Sequence, residues 1–416
     1  MTPADTSHHA MAADAPSPRG DAVYLDHAAA TPLRPEVAAA MQEAAGTAFA
    51  NPSSPHAAGR RAHAALEDAR ERILAAIGCN TSGPHRDRLV FTSGATEANR
   101  LGVVGAAAGL SGCIAWSARD HSSVAAAAQD LVDQGWAATS LELDERGAVA
   151  AAGRFVEALP ADGRAILCTT PVCGQTGICD WREPLPGWMR SHPRLLVHAD
   201  ATQAVGWAEV PFRDLAAMTI AFAPHKFGGP RGIGGLVVRS GIQIEPLAPG
   251  PQELGLRGGT EPTCLAVGFA RAVELAVAER AETTQRLTRL RDLFESRLAT
   301  AAAAAGLGLC VVGKTSDRAP HISTVAISGC DRQVIAMAAD LAGVCLATGT
   351  ACASGSSEPS PAVAALGMPA WVTHGAVRIS FGRSTSEQDV LAASERLIAV
   401  FRGIATGGLH PAPRHR

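Results

Sequence analysis

Short apolar runs flanked by turn residues recur through the first two-thirds of the chain, at Arg88–Thr92, Cys113–Trp116, Ala165–Thr169, Leu195–His198, Met218–Phe222 and Gly234–Val238. Between them lie Ala-rich segments of helical pattern, among them Ala57–Ile77, Ser122–Gln134 and Ala201–Val205. Strand alternating with helix predicts an α/β domain with a mainly parallel sheet, because parallel neighbours need long crossover connections. After the Gly-rich segment Gly255–Thr260 the pattern changes. A long helical stretch from about Leu265 to Ala304 precedes a strand at His321–Ile327, a helix at Gln333–Leu341 and a strand–helix pair over Ala376–Arg402. These predict a second, smaller α+β layer. A chain of 416 residues exceeds what one core organises, so two units are expected.

Aromatic residues make up only 4% of the chain, so the core must rest on Leu, Val, Ile and closely packed backbone. The net charge of −3 predicts no strong direct binding to nucleic acid or anionic membrane. No uninterrupted apolar run is long enough to span a bilayer. Residues 1–21 are rich in Ala, Pro, Ser, Asp and His and lack the pattern of a signal or transit peptide, which predicts a disordered tail and a cytoplasmic address. The ten cysteines show no CxxC spacing and no closed tetrahedral pattern, so neither disulfides nor a metal site is expected.

Chemistry concentrates at the ends of the predicted strands. Lys226, in Ala223-Pro-His-Lys226, follows an apolar strand and precedes a Gly-rich turn running to Gly235. A lysine withdrawn from bulk water there is suited to Schiff-base chemistry, although a surface lysine in a flexible turn gives the same pattern. Asp200 ends the run Leu195–Ala199, and Gln203 sits one turn later. A carboxylate in that crevice can keep a pyridinium nitrogen protonated, or it can cap the helix predicted from Ala201. Thr92-Ser-Gly-Ala-Thr-Glu-Ala98 turns from a strand into a helix and offers backbone N–H groups to a phosphate. A phosphate loop, an aspartate and a lysine in this chain order are specific together where each alone is weak.

With Tyr24-Leu-Asp-His-Ala-Ala-Ala-Thr31, Asn51-Pro-Ser-Ser-Pro-His56 and Gly375-Ala-Val-Arg-Ile-Ser-Phe-Gly-Arg383, these segments resemble the class V, fold-type I pyridoxal-phosphate enzymes, specifically the cysteine desulfurases. The resemblance covers all but the two tails. It implies a large domain over 34–280 with a mainly parallel seven-stranded sheet. It also implies a small α+β domain from 22–33 and 281–408, with 409–416 as a tail. Lys226 is then the residue bonded to pyridoxal 5'-phosphate, and His121 stacks on its ring. Asp200 pairs with the ring nitrogen and Gln203 with the phenolic oxygen. Ala95, Thr96 and His225 lie at the phosphate, with Thr260 reaching it from a second subunit of a homodimer. Arg378, otherwise an ordinary strand arginine, clamps the substrate carboxylate, and Asn51 also faces substrate. The loop of about 346–360 is rich in Gly, Ser and Ala and ends in Glu-Pro-Ser360. It resembles the long catalytic loop of one group of the family, which makes Cys352 the persulfide carrier and Cys345 a structural cysteine.

The implied activity is removal of sulfur from L-cysteine for a sulfur-acceptor protein. A selenocysteine lyase, another class V enzyme or a low-activity partner-binding scaffold would share most of these residues. The chain departs from the family at Cys173-Gly174-Gln175-Thr176-Gly177, where Asn-Asn-Glu with a Gly two positions on is usual. It departs again at Ala223, where a phosphate-binding serine is usual, and at Pro224. An amide beside the phenolic oxygen is therefore missing unless Gln175 or a water replaces it, and an asparagine restored at 174 is expected to strengthen cofactor and substrate contacts.

Overall fold

The computed structural model describes residues 22–150, 152–159, 164–180, 185–208, 217–349 and 358–405. Among these the strands are β1 (Val23–Tyr24), β2 (Arg88–Thr92), β3 (Cys113–Ser117), β4 (Ala137–Leu141), β5 (Ala165–Thr169) and β6 (Leu195–Asp200). They continue with β7 (Thr219–Phe222), β8 (Gly234–Val238), β9 (Leu309–Val311), β10 (Ile322–Ile327), β11 (Val344–Cys345) and β12 (Val377–Ser380). Seven form the expected mainly parallel sheet, in the order β2-β8-β7-β6-β5-β3-β4, in which β8 runs antiparallel to both neighbours.

Both faces of this sheet are covered, which is why its central strands are apolar throughout rather than alternating. On one face Phe91 and Phe222 pack on Phe269 of the helix Thr263–Ala278, beside the helix Ala57–Ala76. On the other, Ile114 and Ile166 pack on Val103 and on Val124 and Leu131 of the helix Ser122–Asp133. The edge strand β4 carries no apolar run that the sequence could have flagged, because four of its five residues face solvent wholly or in part.

Two predicted helices change. Ala201–Val205 is a turn: Thr202 N–H bonds back to Asp200 Oδ1 at 3.0 Å, and Gly206 adopts φ +81°. A Cβ at Gly206 would lie 2.9 Å from that of Ala276, so only glycine lets the chain pass there. The stretch from Leu265 divides into Thr263–Ala278 and Arg280–Ala304 at Glu279, whose carboxylate pairs with Arg34 at 2.7 Å and Arg383 at 3.2 Å.

The remaining strands form an antiparallel sheet, β12-β10-β9, and a parallel pair, β1-β11. They pack against Arg280–Ala304, Arg332–Leu341 and Glu387–Ala405, with Phe294 against Phe381 in their core. No helix among the described residues is long and apolar enough to cross a membrane.

Candidate active site

The parallel strands deliver their carboxyl ends to one edge of the large sheet, where α/β folds bind ligands. β2 leads into Gly94–Thr96, β3 into His121, β6 ends on Asp200 and β7 leads into His225 and Lys226. Because β8 is antiparallel, its first residue, Gly234, also lies there, opposite Thr92. A Cβ on Gly234 would lie 2.4 Å from the Gly94 carbonyl carbon. Glycine at 234 thus lets the turn after Lys226 close on the loop after β2. A cavity of about 710 Å³ opens at this edge. It is lined by Ala95, Thr96, His121, Asp200, Gln203, His225, Lys226 and Arg378 together.

The Lys226 ammonium donates to the carbonyls of Ala28 at 3.0 Å and Ala29 at 2.9 Å. The Gln203 side-chain NH2 donates to the same Ala28 carbonyl at 2.8 Å. Its other end accepts from His321 Nε2 at 3.1 Å. His321 is fully buried and stacked on Trp207, with ring centroids 4.6 Å apart, and burial takes its pKa down to about 3. The N-terminal segment around Ala28 thus holds both the lysine and the glutamine.

Asp200 accepts from Thr202 N–H on one oxygen and from the Asn99 amide on the other, at 2.9 Å. It therefore secures a local turn while still facing the cavity. His121 caps the helix Ser122–Asp133: its Nδ1 accepts from Ser123 N–H at 3.2 Å. The cavity wall desolvates the ring and lowers its pKa; Asp200 opposes the shift and Lys226 adds to it. His225 is pushed down to about 4, by burial first and then by the charges of Lys226 and Arg231.

Arg378 reaches the cavity from β12. Its Nη2 pairs with Asp26 Oδ1 at 2.8 Å and its Nη1 donates to the Gly174 carbonyl at 2.9 Å, while its buried Nε has no partner among the described residues. Its backbone pairs in both directions with Ala347, at 2.7 and 3.1 Å, at the start of the predicted sulfur loop. Glu358 and Pro359, at the far end of that loop, line the cavity. Cys352 lies outside the described residues.

Asn51 and Thr260 are exposed and do not line the cavity. Ala223 is fully buried and does not line it either. Gly174 does line it, with φ outside the left-handed region, and the space beside it is taken: a Cβ there would lie 3.2 Å from Gln203 Cγ. The sequence reading missed Asn99, His198, Ser123, His321 and Asp26. A histidine two residues before Asp200, on the same strand face, was the one legible clue.

A model of the aminotransferase class-V family matches residues 23–392. The cysteine desulfurase IscS of Dictyoglomus turgidum is 34% identical, over 92% of this chain and 96% of its own. A cysteine desulfurase of Bradyrhizobium diazoefficiens is also 34% identical, over 88% of this chain and 91% of its own. A solved NifS-like protein superposes with a TM-score of 0.79 at 25% identity, over 91% of this chain and 99% of that one. The match over residues 23–392 places the chain in the aminotransferase class-V family, with a strand-end lysine, a strand-end aspartate and a glycine-containing loop gathered around one cavity on its sheet. Within that class, it belongs to the cysteine desulfurases.

Proposed function

We propose that the protein is a cysteine desulfurase that holds pyridoxal 5'-phosphate on Lys226 and converts L-cysteine to L-alanine, keeping the sulfur as a persulfide on Cys352. The convergence of Lys226, Asp200, His121 and Arg378 on one cavity carries this reading. The residues present fit the cofactor. An amine and a carboxylate face the same space, Gly94 and Gly234 form a cradle with no room for a side chain on Gly234, and the buried Arg378 Nε lacks a partner among the described residues. A volume of about 710 Å³ suits a cofactor with an amino acid.

In this assignment Asp200 holds the proton of the ring nitrogen, Gln203 faces the phenolic oxygen and His121 covers the ring. Ala95, Thr96 and His225 surround the phosphate. When bound, pyridoxal phosphate supplies an electron sink for charge developing at the substrate α-carbon. Arg378 takes the substrate carboxylate, through Nε or by exchange with Asp26. Lys226, freed when substrate binds, would take the substrate α-proton. The Cys352 thiolate attacks the substrate sulfur; the carbon–sulfur bond breaks, and its electron pair and a proton stay with the carbon skeleton as alanine.

The larger unit spans 34–280, and the smaller spans 22–33 and 281–408 with the sulfur loop. Thr260, exposed outside the cavity, serves the phosphate of a second copy in a homodimer, and Asn51, also exposed, faces the substrate. The persulfide passes to an acceptor protein, in the cytoplasm. The test is incubation with L-cysteine, assay of alanine and peptide mapping of the added sulfur. Stoichiometric alanine and a persulfide on Cys352, both abolished in Cys352→Ser, are expected. A persulfide on Cys345 or Cys173 with Cys352→Ser still active, or no alanine at all, would overturn the assignment.

A further inference from the structure

Behind Asp200 lies a group of polar side chains that the reaction as described does not use. Asn99, on the helix Ala95–Arg100, and His198, on β6, are fully buried, and Ser123 nearly so; none of the three lines the cavity. Asn99 Nδ2 donates to Asp200 Oδ2 and to Ser123 Oγ, each at 2.9 Å. Asn99 Oδ1 meets His198 Nε2 at 3.0 Å, and His198 Nδ1 meets Thr219 Oγ1 at 2.9 Å. Ser123 Oγ lies 2.8 Å from His121 Nδ1. We propose that Asn99 and His198 are positioning residues: His198 sets which way the Asn99 amide faces, and Asn99 holds the Asp200 carboxylate and, through Ser123, the ring of His121.

The direction of each bond follows from what each group can do. A carboxylate only accepts, so the Asn99 NH2 faces Asp200 and its carbonyl faces His198. That carbonyl needs a donor, so His198 carries a proton on Nε2. Burial lowers the pKa of this ring to about 4, with Asp200 opposing, so Nδ1 is bare and accepts from the Thr219 hydroxyl. Ser123 receives one Asn99 proton and turns its own towards His121 Nδ1, which already accepts Ser123 N–H. His121 is thereby held with its proton on Nε2.

The backbone makes room for this arrangement. The helix widens to a π turn over Leu101–Gly105, and a Cβ at Gly102 would lie 2.7 Å from His198 Nδ1. Three elements meet at one amide, β6 and the helices beginning at Ala95 and Ser122, and β7 supports it through His198. A network satisfied at every member fixes geometry in a way that single bonds do not.

This inference rests on the cavity being the pyridoxal-phosphate site, and wild-type binding is the control that tests that reading separately. Apoprotein variants are titrated with pyridoxal phosphate, and the visible band of the loaded protein is followed against pH. His198→Leu should weaken binding by about tenfold or more and move the pH midpoint of the band. His198→Gln, whose amide offers a donor near the Nε2 position, should recover most of both. Ser123→Ala should leave cofactor affinity within about twofold while moving the midpoint, because it cuts only the branch to His121. If wild type binds no cofactor, the site reading fails. If wild type binds and either His198→Leu matches it or His198→Gln is no better than His198→Leu, the positioning role is wrong. Should His198→Leu not fold, Ser123→Ala decides: an unmoved midpoint overturns the proposal.

Discussion

Asp200 and Arg378 face the same cavity, yet they are held on different terms. Asp200 ends a central parallel strand, and its carboxylate is held by a backbone N–H and by an amide whose every polar atom is occupied. Arg378 sits on an edge strand of the small antiparallel sheet, with one nitrogen on Asp26, one on a backbone carbonyl and one without a partner among the described residues. The His321 and His27 rings likewise keep an Nδ1 without a partner among those residues, whereas both nitrogens of His198 are engaged. The Asp200 carboxylate is thus fixed before any ligand arrives, although Thr202 Oγ1 and Arg119 Nε on the same side are buried without a partner among the described residues. Arg378 keeps an unspent donor beside its carboxylate partner Asp26, and in the proposed mechanism it exchanges that carboxylate for a substrate one.

The largest effect should come from the large-sheet side. Lys226→Ala is expected to lose all borohydride-fixable cofactor and to lower turnover by about 10²–10⁴-fold, as removal of a general base does. Retained covalent fixation would break the comparison at its base. On the other wall, Arg378→Lys should leave the cofactor spectrum unchanged and raise KM for cysteine. Loss of a charged hydrogen bond costs about 1.5–3 kcal/mol, or roughly 10- to 150-fold. An unchanged KM would mean that Asp26 is a permanent partner.

Acid should probe both walls at once. Burial lowers His27 and His198 to about 4 and His321 to about 3, against 6.5 when unfolded. Each ring stays neutral in the fold while the unfolded chain takes up protons below about pH 6.5. Their contribution to stability is therefore complete above that pH and lost as the pH falls towards 4, by about 1.4 kcal/mol per pH unit per ring. Urea midpoints measured on the acid side should fall with this slope, and His27→Phe should flatten it by one ring. A wild-type slope already at zero would show that the rings are protonated in the fold.

The smallest effect concerns Gly174. The sequence alone suggested that an asparagine there would strengthen the site, but Gln203 fills the space such a side chain needs, and both ends of its amide are bonded. Gly174→Asn should instead weaken cofactor affinity, by about 1 kcal/mol or roughly fivefold, through overpacking. Gln203→Ala in the same chain should recover part of the loss. Tighter cofactor binding in Gly174→Asn alone would show that this corner has slack.

What was legible in the sequence divides along the same line. The apolar strands of the large sheet and the residues at their ends could be read because burial on both faces writes them as continuous runs with abrupt polar ends. Arg378 was reached only through resemblance, since nothing local distinguishes it from a surface strand arginine. The residues behind the cavity stayed hidden for another reason. Asn99 lies in a helix between unremarkable neighbours, and His321 opens a strand that reads as ordinary β; both matter mainly through partners about a hundred residues away. The turn at Ala201–Val205 was misread because helical composition could not reveal that Gly206 is pressed against Ala276.

The backbone pairing of Arg378 with Ala347 also sets a length. Cys352 follows Ala347 by five residues, and a fully extended chain spans at most about 3.3–3.6 Å per residue, so its thiol stays within roughly 17–20 Å of the strand that carries Arg378. If Cys352 carries the sulfur, as proposed, the carrier is a short leash fastened beside its own loading point, and it would not carry sulfur across the molecule to a distant acceptor. Any acceptor has to bring its receiving group to the rim of this cavity, so the choice of acceptor rests with the surface that surrounds the mouth.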